Sequence, residues 1–157
     1  MWLSNSDFSQ VVAHTPLVSL DFVITNASGE WLLGQRFNRP AQGQWFVPGG
    51  RVRKDETLDA AALRLTTEEL GQRRSLADMH FLGVYEHFYT DSQFDSDVST
   101  HYVVLAYHFS SSPELARLPR EQHGQYQWWL PDEIGVCEDV HANTLGYLPA
   151  ISSLFVG

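Results

Sequence analysis

Apolar and polar positions alternate along this chain in two rhythms. From Leu17 to Thr25 (LVSLDFVIT) the run is almost continuously apolar, the pattern of a buried strand, with one polar interruption at Asp21. Asn26 to Gly29 reads as a turn and Glu30 to Gln35 as a second short strand, so the two predict a hairpin. Arg36 to Gln44 is a loop carrying Pro40 and Gly43, and Trp45-Phe46-Val47 is a short strand that ends in a turn at Pro48-Gly49-Gly50. Further strands are expected over Met79–Tyr89, Thr100–Phe109 and Tyr126–Leu130, with a polar loop to Ser99. A helix starts near Asp132 and a last one runs from about Asn143 to Phe155. Strands broken by two or three helices predict α/β or α+β packing in layers.

The second rhythm, near 3.6, lies between Thr57 and Gly71. Thr57 is a candidate N-cap, and Gly71 stands where a helix ends in a left-handed residue. Turning about 100° per residue from Leu58 gathers Ala61, Ala62 and Leu65 on one apolar stripe. Glu69 falls on that same stripe, while Arg64 and Glu68 lie round to one side. A carboxylate facing the core is costly unless something neutralises it. Glu69 is therefore either half of a buried ion pair or a metal ligand, and the Gly-Gly pair just upstream favours the metal.

Composition narrows the class. The 157 residues suit one domain, and 43% hydrophobic with 13% aromatic content describes a globular chain. No apolar run is long enough to span a bilayer, and MWLSNSDFSQ lacks the basic and apolar regions of a leader, so no membrane partner is expected. Cys137 is the one cysteine, which suits a reducing, cytoplasmic setting. A net charge of −9 argues against nucleic acid as a partner and makes each basic residue informative. Arg36, Arg39, Arg51, Arg53, Lys54 and Arg64 stand where an anionic ligand would bind.

Residues 50–72, GRVRKDETLDAAALRLTTEELGQ, resemble the Nudix hydrolase box, GX5EX7REUXEEXGU, in register at Gly50, Glu56, Arg64, Glu68, Glu69 and Gly71. Leu65 stands where the box has Glu, and Thr66 and Gln72 where it has aliphatic residues. The resemblance implies one Nudix hydrolase domain over 1–157, with an α/β/α sandwich and a mixed sheet. It extends to TPLVSLDFV, RFNRPAQGQWFVPGGR, THYVVL, the EQH loop and VHAN, which look like the GDP-mannose mannosyl hydrolase branch. The Leu65 and Thr66 departures are typical of that branch. It implies hydrolysis of GDP-mannose, or of GDP-glucose, to GDP and free sugar, by water attacking sugar C1 with inversion. A homodimer and Mg²⁺, with Mn²⁺ as a substitute, come with it.

Site residues follow from the same resemblance. The Gly49 carbonyl, Glu69 and Gln122 are the expected metal ligands, with Glu68 either a solvated neighbour or a contributor to a second ion. Oxygen-only coordination suits Mg²⁺ on a diphosphate. His123 matches the general base, and imidazole can take a proton from water near neutral pH. His87 and His141 are its rivals, His87 with a structural look in its aromatic-rich strand. Arg36 and Arg51 are expected on the diphosphate, where guanidinium forks stabilise charge on a leaving group, unless they form surface salt bridges. Tyr102 is a candidate donor to the same oxygens, and Arg64 with Glu56 an ion pair inside the box. Asp21 either binds the sugar, holds Arg51, or is a polar residue of an edge strand. Trp2, Leu3 and Phe8 match positions that meet the nucleotide, and packing on a dimer partner would explain them as well. Two alternatives remain: a Nudix pyrophosphatase cleaving at phosphorus, or a non-catalytic nucleotide-sugar sensor.

Overall fold

The computed structural model describes residues 2–119 and 123–154, the side chain of His123 excepted. A seven-stranded mixed sheet forms its centre. Strands are β1 (Leu17–Thr25), β2 (Trp31–Arg36), β3 (Trp45–Phe46), β4 (Gly49–Arg51), β5 (His80–Tyr89), β6 (Thr100–Ser110) and β7 (His123–Trp129). The order β3-β2-β1-β6-β5 is joined by β4 on β1 and β7 on β2. β1 runs parallel to β6 from Leu17↔Tyr102 to Thr25↔Ser110, and every other pairing is antiparallel.

Alternation along β1 sends its apolar residues to both faces, which is why its run looked continuous. Leu20, Phe22 and Ile24 pack with Ala61, Ala62, Leu65 and Leu70 of helix α2 (Leu58–Leu70). Val23, with Trp31 and Leu33 of β2, packs against Ile134, Tyr147 and Ile151 on the opposite face. Those residues belong to α3 (Pro131–Val136), the segment after α4 (Ala142–Leu145), and α5 (Leu148–Leu154). Helices therefore cover both faces, as the expected sandwich requires.

Helix α2 is capped as its sequence indicates. Thr57 accepts from the Ala60 N–H at 3.1 Å, and Gly71 takes φ +66°. Leu58 differs from expectation: it is exposed, as is the whole first turn from Leu58 to Ala60, and the buried stripe begins at Ala61. Thr66 is fully buried and pays no polar penalty, since its hydroxyl donates to the Ala62 carbonyl at 2.8 Å and accepts from the Arg74 N–H at 3.0 Å.

Other expectations are corrected. The chain start is an element, α1 (Asn5–His14), whose N-cap Ser4 accepts from the Asp7 N–H. The last helix is two pieces, broken after Leu145 at Gly146 and Tyr147. β7 begins three residues before the expected Tyr126. Gly49-Gly50 is no turn: both residues lie in β4, with Leu20↔Gly50 and Asp21↔Gly49 in register. Glycine is needed there for closeness. A Cβ on Gly49 would sit 2.3 Å from the Leu20 carbonyl oxygen, and one on Gly50 would sit 2.4 Å from Leu65 Cδ2.

Candidate active site

β4 lays its backbone between the central strand and α2, and the cleft opens above it. A cavity of about 370 Å³ is lined by Gly49, Gly50, Arg51, Arg36, Arg53, Glu68, Glu69 and Tyr102, and by Trp2, Leu3, Asn5, Phe8, Gln93 and Phe94 at its mouth. A smaller one of about 80 Å³ shares Arg36, Gly49, Gly50, Arg51 and Tyr102, and adds Asp21, Ser19, His87 and Tyr89. Of the expected metal, diphosphate, sugar and nucleotide contacts, Gly49, Glu69, Glu68, Arg36, Arg51, Tyr102, Asp21, Trp2, Leu3 and Phe8 each line one of these two adjoining spaces.

Glu69 is only 3% exposed, on the buried stripe of α2, yet it borders the cleft beside Gly49 and Gly50. Leu65, one turn earlier, is equally buried against Gly50 where the box would carry a carboxylate. Glu68 lines the larger cavity too, but far less buried than Glu69: its side chain is 44% exposed, 3.2 Å from Arg64 and 3.7 Å from Arg53. Among the described residues no three His, Cys, Asp or Glu side chains gather as a metal cluster. What the cleft floor offers a cation is one carboxylate and backbone oxygen on a surface closed to side chains. That donor set fits a single hard ion that keeps part of its water shell and leans on a bound diphosphate. Gln122 lies outside the described residues.

The cationic side is built from arginines on three elements. Arg36 ends β2 at a ladder irregularity facing His123, and its Nε is buried with no hydrogen-bond partner among the described residues. Its guanidinium stands 5.7 Å from the Phe46 ring centre. A charged buried donor of this kind is available to an anion in the cleft. Burial lowers the pKa of Arg51, and the Arg53 and Arg64 charges push the same way, against a rise from Tyr102. Negative charge in the cleft would relieve that crowding. Burial raises the pKa of Tyr102, which keeps its hydroxyl protonated as a donor.

Not every expected cation is free for a ligand, even where, like Arg64, it lines the larger cavity. Arg64 is tied to Glu56 by Nε at 2.7 Å and Nη2 at 2.8 Å, and Nη2 also donates to the Arg51 carbonyl at 2.8 Å. Glu56 takes the Arg53 N–H at 3.0 Å as well. The pair fixes the β4–α2 loop and Arg51 with it. Lys54 is exposed and pairs with Asp55, and Arg39 lines a small side cavity.

Asp21 sits on a central strand, so its reading as an edge-strand polar residue is overturned. Its partner is Tyr147 rather than Arg51. The Tyr147 hydroxyl donates to Oδ2 at 2.5 Å, and His87 Nε2 lies 3.4 Å from the same hydroxyl. Burial pushes the Asp21 carboxyl up to about 6, against the lowering effects of Tyr147 and Arg36. Sequence reasoning missed Tyr147: it lies 126 positions away, and no local pattern marks it. Burial, with the His141 charge, lowers His87 to about 4 and so keeps it neutral near pH 7. His141 stacks on Phe46 at 4.7 Å, and its Nδ1 accepts the Asn143 N–H. Both rival histidines are thus held in structural contacts.

Family comparison agrees with this construction. The NUDIX domain family matches residues 15–150, and the chain belongs to it. Its fold and box are those of a Nudix hydrolase. The low-salt glycan biosynthesis protein Agl8 of Haloferax volcanii is 37% identical over 149 residues, covering 95% of this chain and 90% of Agl8. Among solved structures, the MutT protein of Methanosarcina mazei superposes with a TM-score of 0.71 at 19% identity, over 92% of this chain and 99% of its own. The NUDIX domain of Shewanella oneidensis NrtR, solved with ADP ribose, superposes at 0.69 with 16% identity, over 98% and 100%. Among the described residues no helix is long and apolar enough to cross a membrane.

Proposed function

We propose that this protein is a Mg²⁺-dependent hydrolase of GDP-mannose or GDP-glucose, releasing GDP and free sugar by attack at C1. The observation that carries this reading is Leu65. It fills, packed and dry against Gly50, a position that the box gives to a carboxylate, and so leaves Glu69 as the carboxylate of the cleft floor. Enzymes that activate water beside phosphorus gather several ions on several carboxylates. A single ion suffices where the task is to stabilise a departing diphosphate.

Glu69, the Gly49 carbonyl and Gln122 would hold the ion. When bound, Mg²⁺ neutralises charge on the diphosphate and makes GDP a better leaving group. Arg36 and Arg51 grip the phosphate oxygens, with Tyr102 donating a further hydrogen bond, so growing negative charge meets fixed donors. Asp21, held by Tyr147, faces the smaller cavity, where it can accept from sugar hydroxyls. His123 takes a proton from water on the face opposite GDP. The water oxygen bonds to C1, the C1–O bond to the β-phosphate breaks, and GDP leaves with that electron pair. An α-linked sugar gives the β-anomer.

The glycan-biosynthesis name of the Haloferax relative supports a glycosyl substrate, and the ADP ribose of the Shewanella structure supports a nucleoside diphosphate on this fold. We also infer a cytoplasmic homodimer. β5, where Phe81, Val84 and Phe88 stand exposed, supplies apolar surface for a second copy.

³¹P and ¹H NMR of GDP-mannose with the protein and Mg²⁺ tests the reaction. GDP with β-mannose as the first sugar is the expected result. GMP with mannose 1-phosphate would establish attack at phosphorus, and binding without product would establish a sensor.

A further inference from the structure

The mouth of the cleft holds a feature that neither the box nor the arginines account for. The loop between β5 and β6 is strongly polar (TDSQFDSDVS over 90–99), yet it carries Phe94, which is 45% exposed and lines the large cavity. This loop is held in shape from within. Ser92 is buried and meets the Asp95 carbonyl twice, by its N–H at 2.9 Å and its hydroxyl at 2.8 Å. Asp95 caps the Asp97 N–H at 2.8 Å, and the Thr100 hydroxyl ties the loop base to the Asp91 carbonyl at 2.7 Å. Gln93 and Phe94 are the two residues between the tied positions, and both border the cleft.

The other aromatic rings at the mouth are already engaged. Arg53 stacks on Trp2 at 4.2 Å, and Arg51 on Phe8 at 5.3 Å. In these contacts a cation stands over each ring, so both rings already have a charged partner. Among the described residues no guanidinium stacks on Phe94. It meets Phe8 edge to face, with centroids 6.1 Å apart and planes at 86°. With the sugar in the smaller cavity, a ligand whose diphosphate lies on Arg36 and Arg51 sends its nucleoside toward this mouth.

We propose that the Ser92–Asp95 turn is the base-reading element of the cleft. Phe94 is the ring on which the nucleobase of a nucleoside diphosphate stacks, and Gln93 is the amide that reads the edge of that base. An aromatic platform serves any base, whereas an amide presents a donor and an acceptor together and so distinguishes bases by their edges. Because the turn is tied before the ligand arrives, little ordering cost falls on binding. The inference rests on the reading of the cleft as a nucleotide-sugar site, and adds the elements that select the base.

The test is equilibrium binding of GDP, ADP and inorganic pyrophosphate, each with Mg²⁺, to the wild-type chain and to Phe94→Ala, Phe94→Trp and Gln93→Ala. Phe94→Ala should weaken GDP about 5- to 150-fold, the span of one base–ring stack. Pyrophosphate should bind as before, and Phe94→Trp should restore GDP. Gln93→Ala should narrow the gap between GDP and ADP. Equal weakening of GDP and pyrophosphate would mean that Phe94 supports the phosphate end or the fold, and would overturn the proposal. Unchanged GDP binding in Phe94→Ala would overturn it too. Binding needs no turnover, so a wrong reaction assignment shows in the NMR products and leaves these affinities to be judged separately.

Discussion

Replacing Glu56 by glutamine tests how the cleft is braced. The native carboxylate accepts Arg64 through both oxygens, at 2.7 and 2.8 Å, and the Arg53 N–H at 3.0 Å. The two side chains are 14% and 17% exposed, so this pair is closer to a buried bridge than to a surface one. Breaking a buried pair by removing one charge costs about 3–5 kcal/mol. The amide keeps one acceptor, which favours the low end, about 3 kcal/mol. At this chain length that lowers the melting temperature by roughly 6–12 °C. The effect should depend on pH in a fixed sense. Arg64, with the Arg53 N–H, holds Glu56 at about 2 against an ordinary 4.5, with burial opposing. A folded-state pKa below the unfolded one stabilises fully above the unfolded value and fades as pH falls toward the folded one. The gap between wild type and Glu56→Gln should therefore be complete near pH 7, shrink below about 4.5 and nearly close toward about 2. Urea unfolding of both proteins near pH 7 and near pH 3 measures it. A gap under about 1 kcal/mol, or one of equal size at both pH values, would refute the bracing role. Because Arg64 also donates to the Arg51 carbonyl, turnover should fall beyond what stability explains.

Further outcomes are expected. Gly49→Ala should be more damaging than Gly50→Ala, because its methyl meets the backbone oxygen of Leu20 while that of Gly50 meets the movable tip of Leu65. The second change should cost about 1–3 kcal/mol and the first more, read by chemical denaturation; equal costs would contradict the packing argument. Glu69→Gln should lower the Mg²⁺ sensitivity of turnover while the chain stays folded, and an unaltered metal titration would remove Glu69 from the ion.

Legibility followed the range of the forces involved. α2 was readable to its ends, since Thr57 and Gly71 act on their own neighbours. β1 was readable to the residue because burial on both faces leaves a long apolar run. Glu69 stood out as a carboxylate on an apolar stripe. α1 had a readable start, Ser4 with Asp7 three residues on, but little apolar face to declare it. The final helix looked continuous because the break at Gly146 and Tyr147 is set by packing: Tyr147 is drawn fully into the core toward Asp21. Gly49-Gly50 resembled a turn because glycine signals both turns and close approach, and only the position of Leu20 and Leu65 decides between them. Ring partners such as Phe94 with Phe8 depend on tertiary placement and leave no periodic trace.

β4 is three residues long, and each of them is laced to Ser19, Leu20 or Asp21 of β1. The same strand carries β6 on its other side and sends Leu20, Phe22 and Ile24 into the core. The β4 part of the cleft and the structural frame are thus one fabric, and the first cannot slacken while the second holds. Heating should therefore show no dormant, folded stage: catalysis and tertiary structure should vanish along one curve, and should return along one curve on cooling.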